Sequence, residues 1–92
     1  MQPGADLSDA DLRYADLSKA EVRQVDLSNA ILVNTNLRHA DLRHAEIGGV
    51  DARGADLSYA NLGESTIDGE TEDFRGLQYL KQRGAKIRTN KE

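Results

Sequence analysis

From Ala5 to Gly69 the sequence is a run of thirteen five-residue units with no insertion or deletion. The first position of each unit is small, and it is alanine in nine of the thirteen. The third position is Leu, Ile or Val except at Ala52, and the second position is mostly Asp, Glu or Asn. A tandem repeat of this kind determines the architecture, because each unit has to pack against its neighbours.

The five-residue period excludes an amphipathic helix and favours short strands. Five residues rotate an α-helix by about 500°, so successive leucines would not form one stripe. In strands, positions one and three face one side while position two faces the other. Positions four and five, which are rich in Ser, Asn and Gly, suit a corner. The sequence therefore predicts an all-β solenoid with two residues inward and three outward in each unit.

Composition supports this architecture and excludes several classes of protein. Apolar residues make up 38% and aromatic residues 4%, which is too little for a core of large side chains but enough for many small layers. The absence of cysteine excludes disulfides and thiolate sites. A net charge of −4 disfavours direct binding to nucleic acid or to an anionic membrane. Since no signal peptide or membrane-spanning run is recognisable, we expect a cytoplasmic protein.

The tandem A(D/N)LXX pattern resembles the pentapeptide-repeat family. The resemblance implies a right-handed parallel β-helix of square cross-section with four units to a coil, so the thirteen units would form just over three coils. Val25 and Thr35 are larger than alanine at position one, and we expect the coil to bulge there. Val50 is also large, but Ala52 in the same unit is small, so the volume is conserved. The inward third positions predict a core stack: Leu7, Leu12, Leu17, Val22, Leu27, Leu32, Leu37, Leu42, Ile47, Leu57, Leu62 and Ile67.

Sorting the units by fours assigns every outward residue to one of four faces. Face 1 is built by the units that begin at residues 5, 25, 45 and 65, and face 2 by those at 10, 30 and 50. On face 2, two aspartates are balanced by Arg13 and Arg53. Face 1 has no Lys or Arg, and its acidic residues, here called the acidic face, are Asp6, Asp9, Asp26, Glu46 and Asp68. A functional contact would explain this acidic face; alternatively, Asp is simply the preferred solvated residue at position two.

Face 2 also carries an apolar patch, defined as Tyr14, Ile31 and Val33. Ile31 occupies position two, where the other units carry Asp, Glu, Asn or Thr. Three apolar residues together on a flat sheet indicate a contact surface for a partner or for self-association, although harmless sequence drift is the alternative.

Neither a catalytic nor a metal site is predicted. His39 and His44 lie at corners, and no cysteine or further histidine exists to complete a zinc site. The recurring serines suit the corners and have no base positioned to activate them. We therefore expect no enzyme activity and no cofactor.

After Gly69 the repeat pattern ends and a helical pattern begins. Thr71 is a suitable N-cap and Gly84 a suitable C-cap, which predicts a helix over residues 72–83. Residues 85–87 resume the small–polar–apolar pattern of a final strand, and residues 88–92 form a tail. Residues 1–4 are expected to be a short lead-in. The helix would cover the last layer of the stack with Phe74, Leu77 and Leu80.

The first coil has no such cover, so Leu7, Leu12 and Leu17 would be unshielded. A solenoid needs both ends closed. The alternatives are a homodimer that meets end to end through this coil, which we favour, and a chain cut from a longer protein.

For function, a repeat scaffold with flat faces and no pocket predicts a non-enzymatic interaction or structural module. A second hypothesis comes from the resemblance. Some pentapeptide-repeat proteins resemble duplex DNA in shape and charge, and bind DNA gyrase or topoisomerase IV. In that hypothesis the acidic face would stand in for phosphates.

Overall fold

The computed structural model describes residues 2–67, 70–71 and 75–86, and its main feature is a coil that repeats every twenty residues. Position two of each unit forms a parallel bridge with position two of the unit twenty residues later. Nine such bridges run in unbroken succession from Asp6–Asp26 to Glu46–Thr66. Twenty residues are four units, so each coil has four sides.

Backbone hydrogen bonds join the strands of the nine bridged pairs of units in the same way. The Leu7 N–H donates to the Asp26 carbonyl at 2.8 Å, and the Asp26 N–H donates back to the Ala5 carbonyl at 3.0 Å. Position five donates to position four of the next coil, as in Asp9 N–H to Ser28 C=O at 2.9 Å. Within a coil, the Ala10 N–H closes the corner by donating to the Leu7 carbonyl at 3.0 Å. Neighbouring coils are therefore joined by one bridge on each side, and the corners are joined between coils as well.

The corners require a left-handed backbone at position five. Ten non-glycine residues at this position have φ between 54° and 63°, and Gly49 and Gly54 have φ of 73° and 71°. A β-turn whose third residue has positive φ fits a type II turn, and Asn and Asp tolerate that conformation better than most side chains. Sequence analysis predicted the corners but not this conformation.

The core stack lies where it was predicted, with its ends less buried than its middle. Val22, Leu27, Leu32, Leu37, Leu42, Ile47, Leu57 and Leu62 are all buried. The other four, Leu7, Leu12, Leu17 and Ile67, are half-buried and pack against that core. Val50 and Ala52 are 1% and 0% exposed, so the exchange of a large and a small residue within one unit fills the layer.

The expected bulges at Val25 and Thr35 are absent, and that prediction was wrong. Both residues are buried, at 0% and 1% exposure, and the ladder of bridges continues past them. The Thr35 hydroxyl donates to the Leu12 carbonyl at 2.7 Å, which satisfies the buried polar group. A β-branched side chain is thus accommodated at position one without breaking the coil.

Residues 2–4 continue the repeat pattern. The Gly4 N–H donates to the Arg23 carbonyl at 2.9 Å, and the Ala5 N–H closes a corner on the Gln2 carbonyl at 3.2 Å. This segment runs along the fourth side, ahead of Val22, which is only 2% exposed. Among the described residues, none covers the other three sides of the first coil in this way, and their leucines are half-buried.

Beyond the repeats, the chain forms two short strands and a helix. Strand β1 (Thr66–Ile67) pairs antiparallel with strand β2 (Glu70–Thr71), and helix α1 spans Arg75–Gln82. Thr71, the predicted N-cap, belongs to β2 and pairs with Thr66, and the residues between it and α1 lie outside the described residues. Leu77 lies in α1, whereas Phe74 and residues 72–73, 87 and 88–92 lie outside the described residues.

Helix α1 is anchored at its C-terminal half and ends as predicted. Leu80 is 0% exposed and belongs to the core, and the Gly49 N–H donates to the Tyr79 hydroxyl at 2.7 Å. Gly84 has φ of 96°, and the Ala85 N–H donates to the Leu80 carbonyl at 3.1 Å, as in a Schellman motif. The chain then rejoins the coil, because Lys86 bridges Asp56 in parallel.

Candidate interaction faces

The acidic face is a column of side chains in register. Parallel bridges place Asp6 next to Asp26 and Asp26 next to Glu46, one coil apart. Asp6, Asp9 and Glu46 are exposed and Asp26 is half-buried. Asp68 lies outside the described residues. Four of the five predicted carboxylates therefore share one side of the coil.

A structural cause for the acids at position two is visible in the hydrogen bonds. Among the described residues, the N–H of position four finds no backbone acceptor in any repeat. In nine units a side-chain oxygen of position two accepts this N–H at 2.9–3.4 Å. This is an Asx turn, which only Asp and Asn can make with this reach. Sequence reasoning missed it, although the restriction to short acidic and amide side chains was the available signal.

On the acidic face, this bond occupies two of the carboxylates. Asp6 accepts the Ser8 N–H at 3.0 Å and the Ser8 hydroxyl at 2.6 Å, and these bonds lower the pKa of Asp6. Asp26 accepts the Ser28 N–H at 2.9 Å. Glu46 is longer by one methylene and is exposed. Part of the acidic face is therefore required by the corners of the coil.

The apolar patch lies on face 2 and is smaller than predicted. Tyr14 is 76% exposed, but Ile31 and Val33 are half-buried. Ile31 forms bridges with Asp11 on one side and Asp51 on the other. It therefore lies in the middle one of the three strands of face 2, each of which is here called a row. The Tyr14 N–H donates to the Val33 carbonyl at 3.1 Å, which places the patch across two neighbouring coils.

The rows on either side of Ile31 each hold a forked ion pair. Arg13 Nε and Nη2 lie 2.9 and 2.7 Å from the two carboxylate oxygens of Asp11. Arg53 binds Asp51 with the same two distances. The side-chain hydrogen bonds from each arginine lower the pKa of its aspartate. Face 2 therefore presents an apolar row between two oriented acid–base rows.

The two histidines lie at corners, as predicted, and each has a neighbour one coil away. His39 stacks on Tyr59 with ring centroids 5.0 Å apart, and His44 Nδ1 lies 3.1 Å from a Glu64 oxygen. Across the part of the chain that the structure describes, no three His, Asp or Glu side chains are arranged to hold a metal ion. The histidine contacts stabilise corners.

An open groove separates α1 from the last coil. It is lined by Gly49, Val50, Asp51, Arg53, Gln82, Arg83 and Gly84. Both of its guanidinium groups have partners, since Arg53 binds Asp51 and Arg83 lies 4.3 Å from the centroid of the Tyr79 ring. The groove thus offers no unpaired cation among its lining residues. Within the described residues, no helix has the length and apolar character needed to cross a membrane.

Comparison with known proteins agrees with the repeat and with the fold. The family model for pentapeptide repeats matches residues 3–29, 23–58 and 36–69, with eight copies of the repeat. These segments cover more than half of the chain, so the chain belongs to the pentapeptide repeat family. Curated protein sequences give no match.

Two solved structures are similar to this chain. One is a pentapeptide repeat protein from the Arabidopsis thaliana thylakoid lumen, with 31% identity and a TM-score of 0.63 over 76% of this chain. This chain spans 55% of that structure, or about half its length. The other is a pentapeptide repeat protein from Nostoc Pcc 7120, with 27% identity and a TM-score of 0.55 over 90% of this chain and 84% of that one. The fold is accordingly a right-handed β-helix.

Proposed function

We propose that this protein is a non-enzymatic interaction module that binds a protein partner through face 2. The observation that carries the proposal is the row of Ile31 and Val33, set between two forked ion pairs on a hydrogen-bonded face. Its third row, Asp51 and Arg53, also lines the groove beside α1. Ile31 has no oxygen to accept the Val33 N–H, so this unit gives up the Asx turn that nine others make. A residue that forgoes a local hydrogen bond is well explained by a contact that uses its apolar surface.

The rigidity of face 2 also supports its use as a binding surface. The three rows of face 2 are fixed by backbone bonds between coils, so binding to this face would cost little conformational entropy in the module itself. We further propose that α1 closes the C-terminal end of the stack, because Leu80 is part of the core and Tyr79 bonds to Gly49. Face 2 would then extend from the first coil to the C-terminal end of the stack that α1 closes.

The proposal is tested by affinity capture from a lysate of the source organism with three baits. These are the intact protein, an Ile31→Asn/Tyr14→Ser variant, and an Asp6→Asn/Asp26→Asn/Glu46→Gln variant. We expect a specific protein to be captured by the intact bait and by the acidic-face variant, and lost with the face 2 variant. Equal capture by all three baits would contradict a role for face 2. Circular dichroism should show that each bait is folded.

The acidic face supports a second function, as a DNA mimic that binds DNA gyrase or topoisomerase IV. The supporting observation is the register of Asp6, Asp26 and Glu46 along the coil axis. The direct test is supercoiling by purified gyrase, with the intact protein and the acidic-face variant added at equal concentration. Inhibition by the intact protein alone would favour this function, and no effect of either protein would exclude it for gyrase.

A homodimer that meets through the first coil remains a prediction. Its basis is the half-buried state of Leu7, Leu12 and Leu17 at that end of the stack.

A further inference from the structure

We infer that face 2 is self-complementary and that its partner is a second copy of this chain, bound with the two coil axes parallel. This inference rests on the proposed use of face 2 as a contact surface. It adds the identity of the partner and the symmetry of the complex. The parallel bridges fix which residues share a row of face 2.

Each row of face 2 places one outward side chain at position two and one at position four. The first row is Asp11 and Arg13, the second is Ile31 and Val33, and the third is Asp51 and Arg53. Bridges from Asp11 to Ile31 and from Ile31 to Asp51 keep the rows in register. Every row therefore holds a complementary pair: acid with base, or apolar with apolar.

A twofold axis that lies between two such faces and runs parallel to the coil axis keeps each row opposite itself. The same rotation reverses the strand direction, so position two of one copy lies opposite position four of the other. Asp11 then faces the partner's Arg13, and Ile31 faces the partner's Val33. Asp51 faces the partner's Arg53. The twofold axis repeats each of these contacts once, so the three rows make six contacts. Each contact joins opposite charges or two apolar side chains.

The alternative twofold axis, parallel to the strands, gives the opposite result. It places the first row over the third and preserves the strand direction, so that Asp11 faces the partner's Asp51. Arg13 would likewise face the partner's Arg53. Like charges would then meet at both ends of the face, which disfavours this arrangement. The pattern of side chains therefore selects the parallel arrangement.

Among the faces that the structure describes, the other three lack this combination. Face 3 is built by the units that begin at residues 15, 35 and 55, and face 4 by those at 20, 40 and 60. Face 4 has Glu21 with Arg23 and Asp41 with Arg43, but its third row is Asn61 with Gly63, so none of these described rows is apolar. Faces 1 and 3 mostly pair an acid or amide with Ser or Gly, as the row of Asp56 and Ser58 illustrates. Of the rows that the structure describes, only those of face 2 are complementary to themselves in both charge and apolar character.

The arginines of face 2 are also prepared for a second carboxylate. Each guanidinium is already oriented by the two bonds to its own aspartate, yet the side chains of Arg13 and Arg53 remain 57% and 74% exposed. Arginine has five N–H donors, of which the fork uses two, so the remainder can bind the partner's aspartate. Tyr14, at the corner beside these rows, would lie at the rim of the contact.

The contact is small, so we expect a weak dimer that depends on concentration. Three rows about 4.8 Å apart and one strand width across cannot reach the roughly 1,000 Å² typical of a stable interface. Because two of the three rows are charged, association should weaken as salt is raised. The appropriate measurement is sedimentation velocity from 10 μM to 1 mM at low salt.

Two variants distinguish charge complementarity between the two copies from a simple loss of the apolar patch. Arg13→Gln/Arg53→Gln leaves face 2 acidic, and Asp11→Asn/Asp51→Asn leaves it basic while keeping an oxygen for the Asx turns. We expect the intact protein to dimerise and each variant alone to associate at least tenfold more weakly. A 1:1 mixture of the two variants should recover association, because each Asp11 again faces a partner's Arg13.

Three results would overturn the inference. These are an intact protein that stays monomeric at 1 mM, variants that dimerise like the intact protein, or a mixture that does not recover association although both variants are folded. The proposed function fails separately. If the intact protein is monomeric but a different protein is captured through Ile31 and Tyr14, face 2 is an interaction surface for that protein and not for a second copy.

Discussion

At position two, a side-chain oxygen supplies the acceptor that the backbone lacks for the position-four N–H. The bond recurs in nine units, because the side chains of Asp and Asn have the length that this corner requires for an Asx turn. A buried or half-buried N–H without an acceptor is costly, so the acid or amide at this position is part of the fold. Charge on the surface of this coil is therefore partly a by-product of how its corners are closed.

Asn36 offers a test of this bond without a change in charge. Its Oδ1 accepts the Arg38 N–H at 3.1 Å, and Asn36→Ala removes that acceptor. We expect the free energy of unfolding to fall by about 1 kcal/mol. Asn36→Asp keeps an acceptor and, in salt high enough to screen its new charge from Asp16 and Asp56, should lose less in the same chemical denaturation experiment. Equal losses for the two variants would mean that the bond does not stabilise the corner.

The glycine corner at Gly49 gives a second test at the scale of one residue. Gly49 has φ of 73°, and a Cβ there would collide with Oδ1 of Asn29 in the preceding coil. Gly49→Ala should cost about 1–2 kcal/mol for the left-handed backbone plus the cost of moving Asn29. Gly4→Ala is the matched control, because φ is 79° and nothing lies within 4 Å of the added Cβ.

Thermal unfolding of these two variants should therefore differ, with Gly49→Ala the less stable. Adding Asn29→Gly to Gly49→Ala should recover the part of the loss that comes from the collision. If Gly4→Ala and Gly49→Ala lowered the melting temperature equally, only backbone strain would matter at this corner.

What the sequence predicted at this scale follows from side-chain alternation. The inward set from Leu27 to Leu62 is correct, because a period of two within each unit leaves no other arrangement. The left-handed corners were missed, since residues such as Lys19 and Gln24 carry no signal for positive φ. Thr35 was misjudged because its buried hydroxyl finds a carbonyl acceptor that only the folded coil provides.

At the scale of elements, the end of the repeat is where prediction was least successful. Gly84, at the end of α1, was identified from sequence because a glycine after a helical stretch is a strong C-cap signal. Thr71, predicted as the N-cap, lies in strand β2, which the sequence analysis did not predict, because threonine suits a strand as well as a cap. The pair Asp68-Gly69 in the sequence, typical of a two-residue hairpin turn, was the signal for strands β1 and β2.

Helix α1 should be held to the coil chiefly by Leu80. This side chain is fully buried, so Leu80→Ala should leave a cavity and lower the free energy of unfolding by about 2–5 kcal/mol. Gln78→Ala, at an exposed position of the same helix, is the control and should change stability by less than about 0.5 kcal/mol. Similar values for the two variants would show that α1 does not pack on the core.

At the scale of the whole molecule, acid should destabilise the coil as a unit. Hydrogen bonds from position four lower the pKa values of Asp6 and Asp16, and those from Arg43 lower the pKa of Asp41. For Asp56, burial opposes the shift, but bonds from Ser58 and Arg38 outweigh it and its pKa is also lowered. A lowered native pKa means that the folded state holds fewer protons than the unfolded state as these groups titrate.

The stabilisation from these carboxylates is therefore complete above the unfolded pKa of about 4 and is lost as the pH falls through the lower, native values. We expect the melting temperature to be nearly constant from pH 7 to 5 and to fall below pH 4. Asp16→Asn, which keeps the acceptor but cannot titrate, should lose less on acidification than the intact protein. A melting temperature that rises on acidification would contradict this prediction.

Because the bridges join residues twenty positions apart, the insertion or deletion of repeat units changes which residues share a face. Duplicating or deleting one five-residue unit would leave the inward leucines stacked, yet every outward residue beyond that point would turn by a quarter and join a different side. Duplicating or deleting four units would restore each column to its original side. A chain of this design can therefore reassign a whole surface in one genetic step while its interior is unchanged, and lengthening by complete coils is the route that extends an existing surface.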